Sequence, residues 1–129
     1  MIDPELQTAI EHAWSAETAS ADNRWSADNP AAGHCDVTSL VVRERVGGGL
    51  RSCRVFRNGE FSEHHYWNVL PDGREIDLTR SQFDGRETFG EVTTLTEAFL
   101  AEAGPMNPLL VDRVERYRAA VVEALARPR

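Results

Sequence analysis

The chain has 129 residues, of which 41% are hydrophobic and 27% are charged. This length and composition predict one globular domain, over residues 1–129, with its own hydrophobic core. The formal net charge of −7 argues against nucleic-acid binding, which requires a basic footprint. No apolar run is long enough to cross a membrane, and the first residues lack a signal-peptide pattern. We therefore expect a cytoplasmic protein without nucleic-acid or membrane partners.

The first predicted element is a helix that begins at Asp3-Pro4 and fades near residues 20–22. Asp3 is a good N-cap and Pro4 suits the first helical position. Residues 22–33 contain Asn29-Pro30 and Gly33, so they are predicted to form a loop. A second helix is predicted from Cys35 to Val46, because its apolar residues are dense and a run of three glycines follows it.

Three strands are predicted next, over residues 50–58, 61–70 and 74–78. The Asn58-Gly59 pair between the first two is a strong hairpin signal. Residues 79–93 are predicted to be irregular, residues 95–103 helical, and a last helix is expected to open at Asn107-Pro108. Helices that flank a small antiparallel sheet indicate an α+β fold.

The most informative segment lies around the Pro71-Asp72-Gly73 turn. If those residues form a three-residue loop, Trp67 pairs with Asp77, and His65 lies on the same face of the hairpin as both. His65 and Asp77 are then diagonal neighbours within hydrogen-bond reach. A two- or four-residue loop would place Asp77 on the opposite face from His65, so the contact depends on the turn.

Cys35 is predicted to lie at the start of the second helix, thirty residues before His65. The free backbone N–H groups and the dipole of a helix N-terminus stabilise a thiolate, so we expect Cys35 to react with iodoacetamide faster than Cys53, with a pH midpoint below about 8. A cysteine, a histidine and then an aspartate is the chain order of a nucleophile, its base and the residue that orients the base. Both cysteines are expected to be free thiols.

Three short motifs in this order resemble the transglutaminase-like branch of the papain-like cysteine fold: Gly33-His34-Cys35, His65-Tyr66-Trp67 and Asp77-Leu78-Thr79. Together with Trp25, Asn29-Pro30 and Gln82-Phe83, they resemble the small bacterial YunG-like family over residues 14–84. The resemblance implies Cys35 as nucleophile, His65 as general base and Asp77 as orienter. It implies no cofactor, and an amide- or ester-bearing small molecule or peptide as substrate.

Papain-like enzymes often carry a glutamine shortly before the nucleophile, and this chain has none there. The candidates for substrate or oxyanion contact are His34, Asn29, Trp67 and Gln82, with Asn23 a further candidate by proximity. Two other hypotheses remain open. The protein could be a catalytically inactive binding or regulatory module on the same fold. A metal site of His34, Cys35, His65 and Asp77 is disfavoured, because the chain lacks zinc-ligand spacing.

Overall fold

The computed structural model describes residues 2–20, 25–96 and 108–127 and has an α+β architecture. Its described helices are α1 (Pro4–His12), α2 (Cys35–Val46) and α3 (Pro108–Ala126). The sheet is antiparallel and contains β1 (Gly49–Arg57), β2 (Glu60–Val69), β3 (Glu75–Ile76), β4 (Thr88–Phe89) and β5 (Thr93–Thr94). The strand order is β3-β2-β1-β4, and β5 also pairs with β1. None of the described helices is long and apolar enough to cross a membrane.

The α1 helix begins as predicted, with the Asp3 carboxylate accepting a hydrogen bond from the Glu5 N–H. It ends at His12, however, so the predicted continuation to residues 20–22 is wrong. The segment after α1 bonds to other parts of the fold instead of continuing the helix. The Trp14 indole N–H donates to the Thr38 hydroxyl on α2, and the Ser15 N–H is satisfied by side chains. The Ser15 N–H therefore bonds to the side chains of Thr18 and His34 in place of a helical carbonyl.

The three described helices pack together around a buried chain of hydrogen-bonded polar groups. The Trp14 indole donates to Thr38, the Thr38 hydroxyl donates to the Tyr117 hydroxyl, and Tyr117 donates to the Ile10 carbonyl at 2.8 Å. Tyr117 and Ile10 are fully buried, so each of these polar groups needs its partner. This chain joins α1, α2 and α3. The surrounding apolar core includes Leu6, Ala9, Val37, Val41, Val42, Val114 and Val121.

The β1–β2 and β2–β3 hairpins set the register of the sheet. Asn58 and Gly59 have φ values of 54° and 78°, the left-handed pair that a two-residue turn requires. The Leu70 N–H bonds to the Arg74 carbonyl at 2.7 Å, and Val69 pairs with Glu75. The loop at residues 71–73 is therefore the predicted three-residue loop.

Residues 79–93 are more regular than the sequence predicted. They contain a 3-10 turn, Arg80–Gln82, and β4, and β5 begins at Thr93; both strands pair with β1. The Leu95 N–H bonds to the Leu50 carbonyl at 2.9 Å, so Leu95 extends the sheet instead of beginning the predicted helix. The rest of that predicted helix, residues 97–103, lies outside the described residues, as does Asn23.

Candidate functional site

His65 and Asp77 form a short hydrogen bond at the centre of the candidate site. The observed register, carried one residue beyond β3, places Trp67 opposite Asp77 and puts His65 on the same face. The His65 Nε2 lies 2.6 Å from the Asp77 Oδ2. This contact has the geometry that the turn predicted. Asp77 lies just beyond β3, which is shorter than the predicted strand over residues 74–78.

Aromatic rings enclose the His65 imidazole, which has no exposed surface. The Trp67 indole stacks on it at a centroid distance of 5.5 Å, and the Phe83 ring meets it edge-on at 4.9 Å. The Trp67 N–H donates to the Glu75 carboxylate at 2.8 Å, so Trp67 forms one wall of the site. In this dry setting the hydrogen bond between His65 and Asp77 is stronger than it would be in water.

The partners of His65 assign its tautomer. The Asp77 carboxylate accepts the hydrogen bond, so Nε2 carries the proton and Nδ1 carries a lone pair. The Gln82 amide nitrogen lies 3.5 Å from Nδ1 and 3.3 Å from the Thr79 hydroxyl. Gln82, which was predicted only as a substrate or oxyanion candidate, thus lies beside the nitrogen that would act as the base. At 3.5 Å the contact is weak.

The second oxygen of Asp77 is buried and has no hydrogen-bond partner among the described residues. The nearest described cation is Arg80, whose Nη1 lies 3.7 Å from the first oxygen, Oδ2. An unsatisfied buried carboxylate oxygen costs free energy, and such costs concentrate at functional sites.

Cys35 is the first residue of α2 and is half-buried. Its thiol donates to the His64 carbonyl over 3.7 Å, and the backbone N–H of Tyr66 also faces the sulfur. The sulfur thus rests on the peptide groups that flank His65. Within the described residues no hydrogen bond joins the sulfur to the imidazole.

Strand alternation explains this separation. The Asn68 amide donates to the Ser39 carbonyl of α2 at 2.9 Å, so this side chain of β2 points towards α2. His65 lies three positions away and points to the opposite face. The sulfur of Cys35 therefore meets β2 at its backbone, between the two faces.

Burial raises the pKa of the Cys35 thiol well above its usual range, and the negative charge of Asp36 raises it further. The lowered thiol pKa that the sequence predicted is therefore wrong for this arrangement. Desolvation and a neighbouring carboxylate outweigh the helix N-terminus. The resting thiol carries its proton. Cys53, opposite His65 in the sheet, is also a free and buried thiol.

Arg113, on α3, holds the start of α2 in place, and nothing in the sequence pointed to it. Its guanidinium forms a two-pronged ion pair with Asp36, at 2.8 and 3.0 Å. It also donates to the carbonyls of Gly33 at 2.8 Å and Thr18 at 3.1 Å. Because 77 positions separate Arg113 from Asp36, no local pattern could have joined them.

His34 is fully buried, and both of its ring nitrogens have partners. Nδ1 donates to the Ala32 carbonyl at 3.1 Å, and Nε2 lies 2.7 Å from the Thr18 hydroxyl. Burial lowers the pKa of His34 to about 4, so the ring is neutral. The structure places His34 in the packing behind α2 and leaves neither ring nitrogen for an oxyanion, contrary to its predicted role as a candidate.

The loop before α2 contributes two further groups. The Asn29 amide donates to the Gln82 backbone carbonyl at 3.1 Å, so Asn29 fastens this loop to the 3-10 turn beside His65. The Trp25 indole N–H is buried and has no partner among the described residues. Trp25 belongs to the predicted family resemblance, but no sequence pattern shows that its indole N–H lacks a partner.

No group of three or more described His, Cys, Asp or Glu residues is placed to hold a metal ion.

Comparison with known proteins extends the resemblance beyond residues 14–84. The family described as YunG protein matches residues 3–119. The Uncharacterized protein YunG of Bacillus subtilis (strain 168) is 28% identical over 115 residues, which cover 88% of this chain and 92% of that relative. No solved structure matches the chain.

Proposed function

The chain belongs to the YunG protein family, and we propose that it is a cysteine acyl-transfer enzyme. In this proposal Cys35 is the nucleophile, His65 the general base and Asp77 the residue that orients the base. The observation that carries the proposal is the 2.6 Å bond from His65 to Asp77 inside an aromatic enclosure. Because Nε2 is bonded to Asp77, Nδ1 is the basic nitrogen of His65. The Cys35 sulfur contacts the peptide groups on either side of His65.

The protonated resting thiol defines the first step. As the Cys35 sulfur attacks an amide or ester carbonyl, its proton passes to the Nδ1 of His65, and the carbonyl π electrons move to oxygen. The Asp77 carboxylate stabilises the imidazolium that forms. The Val37 N–H already donates to the Asp36 carboxylate at 2.7 Å, so the oxyanion would use the backbone N–H groups that precede it at the start of α2. Collapse returns the electrons, expels the leaving group with the proton from Nδ1, and leaves a thioester.

Water or an amine then attacks the thioester by the reverse sequence. His65 takes a proton from the attacking group, and the Cys35 sulfur recovers one as it leaves. Before the first transfer the sulfur has to approach Nδ1, and the Gln82 amide has to yield its position there. Hydrogen bonds of this kind are often long until substrate binds.

We also propose that the fold is of the papain-like, transglutaminase-like kind. The support is the arrangement of three elements: a cysteine at the start of α2, a histidine on β2, against which α2 packs, and an aspartate at the end of β3. The chain order and the pairing of β2 with β3 agree with that core.

A second proposed function is a binding or regulatory module without turnover. The raised pKa of Cys35, and the lack of a hydrogen bond from its sulfur to His65, favour this alternative. The two proposals differ in one outcome: only the enzyme forms a covalent acyl intermediate on Cys35.

The experiment is a burst assay with 4-nitrophenyl acetate, followed by mass spectrometry of the intact protein and of its peptides. We expect about one equivalent of nitrophenolate in the burst and an acetyl group on Cys35. Cys35→Ala should lose both, whereas Cys53→Ala, the matched thiol control, should keep both. Asp77→Asn should slow acylation by about 10³–10⁴-fold, because the isosteric amide no longer fixes the tautomer.

Circular dichroism and thermal unfolding of each variant separate lost chemistry from lost folding. If folded wild-type protein gives no burst, or if Cys35→Ala acylates at the wild-type rate, the enzyme proposal is wrong. The first of these results would favour the binding module.

A further inference from the structure

Three cross-strand pairs of β1 and β2 lie on one face of the sheet and lead away from Cys35. They are Ser52 with Tyr66, Arg54 with His64, and Phe56 with Phe61. We name this set the ladder face. Ser52, Arg54 and Phe56 alternate along β1, so they share a face at intervals of about 7 Å. On β2, a register shift between the pairs of Val55 and Phe56 brings Phe61, three positions from His64, opposite Phe56. This face bears on the substrate, which the proposed function leaves open.

The Cys35 sulfur meets β2 between the first and second pairs of the ladder face. The Cys35 thiol donates to the His64 carbonyl over 3.7 Å. The Tyr66 backbone N–H faces the same sulfur. Burial raises the pKa of the Tyr66 phenol, and the negative charge of Asp36 raises it further. A carbonyl at the sulfur would therefore lie beside His64 and Tyr66, the β2 members of the first two pairs.

The middle of the ladder face carries a free positive charge. Arg54 is exposed, and its guanidinium forms no ion pair or hydrogen bond with any other described residue. Most other described arginines engage a carboxylate, as Arg57, Arg113 and Arg118 do. Arg54 therefore has its full charge available for an anionic ligand.

The far end is aromatic and open. Phe61 is 54% exposed, although it is a large apolar side chain. Its ring meets the Phe56 ring edge-on at 6.3 Å and the His64 ring at 5.2 Å. Exposed apolar surface of this kind beside a groove marks a ligand contact more often than isolated exposed residues do.

A groove of about 530 Å³ follows the middle and far pairs. Its floor includes Arg54, Phe56 and His64, and the segment that contains Gly90 and Glu91 forms a side wall. A Cβ at Gly90 would lie 3.3 Å from the Phe56 ring, so this segment packs closely against the aromatic end. Four residues of the ladder face therefore line this groove: Ser52, Arg54, Phe56 and His64.

We propose that the ladder face binds the acyl side of an extended peptide substrate. The reacting carbonyl lies at Cys35, an acidic side chain two residues away faces Arg54, and an apolar aromatic side chain four residues away packs on Phe56 and Phe61. The side chains of an extended peptide that share a face repeat at about 7 Å, which is the spacing of Ser52, Arg54 and Phe56 along β1. This inference rests on the proposed function for its reacting end only.

The kinetic test uses a pentapeptide 4-nitrophenyl ester with glutamate at the third position and phenylalanine at the fifth, counted from the ester carbonyl. Two matched esters carry glutamine in place of glutamate, or alanine in place of phenylalanine. We expect each replacement to raise KM about tenfold, which corresponds to about 1.4 kcal/mol per lost contact. Arg54→Gln should abolish the preference for glutamate, and Phe61→Ser should abolish the preference for phenylalanine.

Both substitutions lie outside the catalytic group, so both variants should keep the wild-type burst with 4-nitrophenyl acetate. Equal KM values for the three esters in a protein that gives that burst would overturn the inference and leave the proposed function standing.

A binding measurement keeps the two proposals separable. Calorimetry of Cys35→Ala with the corresponding peptide amides should show the same order of affinities, and the order should be lost in the Arg54→Gln and Phe61→Ser backgrounds. Ranked binding without any burst would reject the proposed enzyme but support the ladder face as a peptide site. No difference among the peptides would reject the ladder face.

Discussion

Replacing Arg113 tests whether a single side chain of α3 fixes the start of α2. The Arg113→Met variant keeps an unbranched apolar stem but removes the guanidinium. It deletes two hydrogen bonds to Asp36 and one each to the carbonyls of Gly33 and Thr18. The thiol-bearing turn then loses its tie to α3.

The expected cost follows from burial. Removing one partner of a buried ion pair costs about 3–5 kcal/mol. The Arg113 and Asp36 side chains are 17% and 24% exposed, so water replaces part of the lost interaction. We therefore expect Arg113→Met to lower the free energy of unfolding by about 2–4 kcal/mol. Arg113→Lys retains the charge but not the planar fork, and it should cost about 1–2 kcal/mol.

Urea unfolding followed by circular dichroism measures these differences. The midpoint should fall while the slope stays constant, as it does when a substitution changes only native-state stability. A double-mutant cycle with Asp36→Asn should give a coupling energy of about 1–2 kcal/mol. A loss below about 0.5 kcal/mol, the range of neutral surface substitutions, or a coupling of zero, would refute the assigned role of Arg113.

Three further predictions each concern one residue type: a buried histidine, a glycine with a positive φ, and a carboxylate beside Cys35. The pKa of His34 is about 4 in the folded protein, whereas that of an unperturbed histidine is 6.5. The unfolded chain therefore binds the proton more tightly. The stability is full above about pH 6.5 and falls by about 3 kcal/mol as the pH drops towards 4; urea midpoints measured against pH should show this slope, and a His34→Gln variant that keeps it would contradict the assignment. Gly48 and Gly59 have φ values of 84° and 78°, but an added Cβ meets the Val69 carbonyl oxygen at 2.1 Å only at Gly48. Gly48→Ala should therefore melt well below Gly59→Ala, which carries only the left-handed strain of about 1–2 kcal/mol, and equal melting temperatures would reject the clash. Asp36→Asn removes a charge that raises the pKa of Cys35, so the pH profile of iodoacetamide alkylation should move to lower pH, and an unmoved profile would show that burial alone sets it.

Local sequence signals located most of the elements that carry the candidate site. The dense apolar residues of α2 and the glycines after it predicted the observed bounds, Cys35–Val46. The turn at residues 71–73 fixed the parity of the hairpin, and parity alone brought His65 to the face of Asp77. Both signals depend on residues only a few positions apart, so they can be recognised in the sequence without knowledge of the rest of the fold.

Signals that depend on distant residues were missed or misread. The α1 helix ends at His12, and beyond it Trp14 bonds to Thr38 on α2 while Ser15 bonds to Thr18 and His34. The strands β4 and β5 are two residues each, and they exist only because β1 offers an edge to pair with. A two-residue strand is too short to show a hydrophobic periodicity, so its sequence does not reveal that it pairs with β1.

The chemistry of Cys35 divides in the same way. By itself the sequence determined the order of Cys35, His65 and Asp77, the helix start that carries the thiol, and the face shared by the other two. Only the tertiary structure decided that the thiol is desolvated beside Asp36, that Arg113 holds that carboxylate, and that Gln82 lies at the basic nitrogen of His65. The reason is physical: periodicity and turn chemistry are properties of neighbouring residues, whereas desolvation and charge depend on everything that the fold brings within a few ångströms.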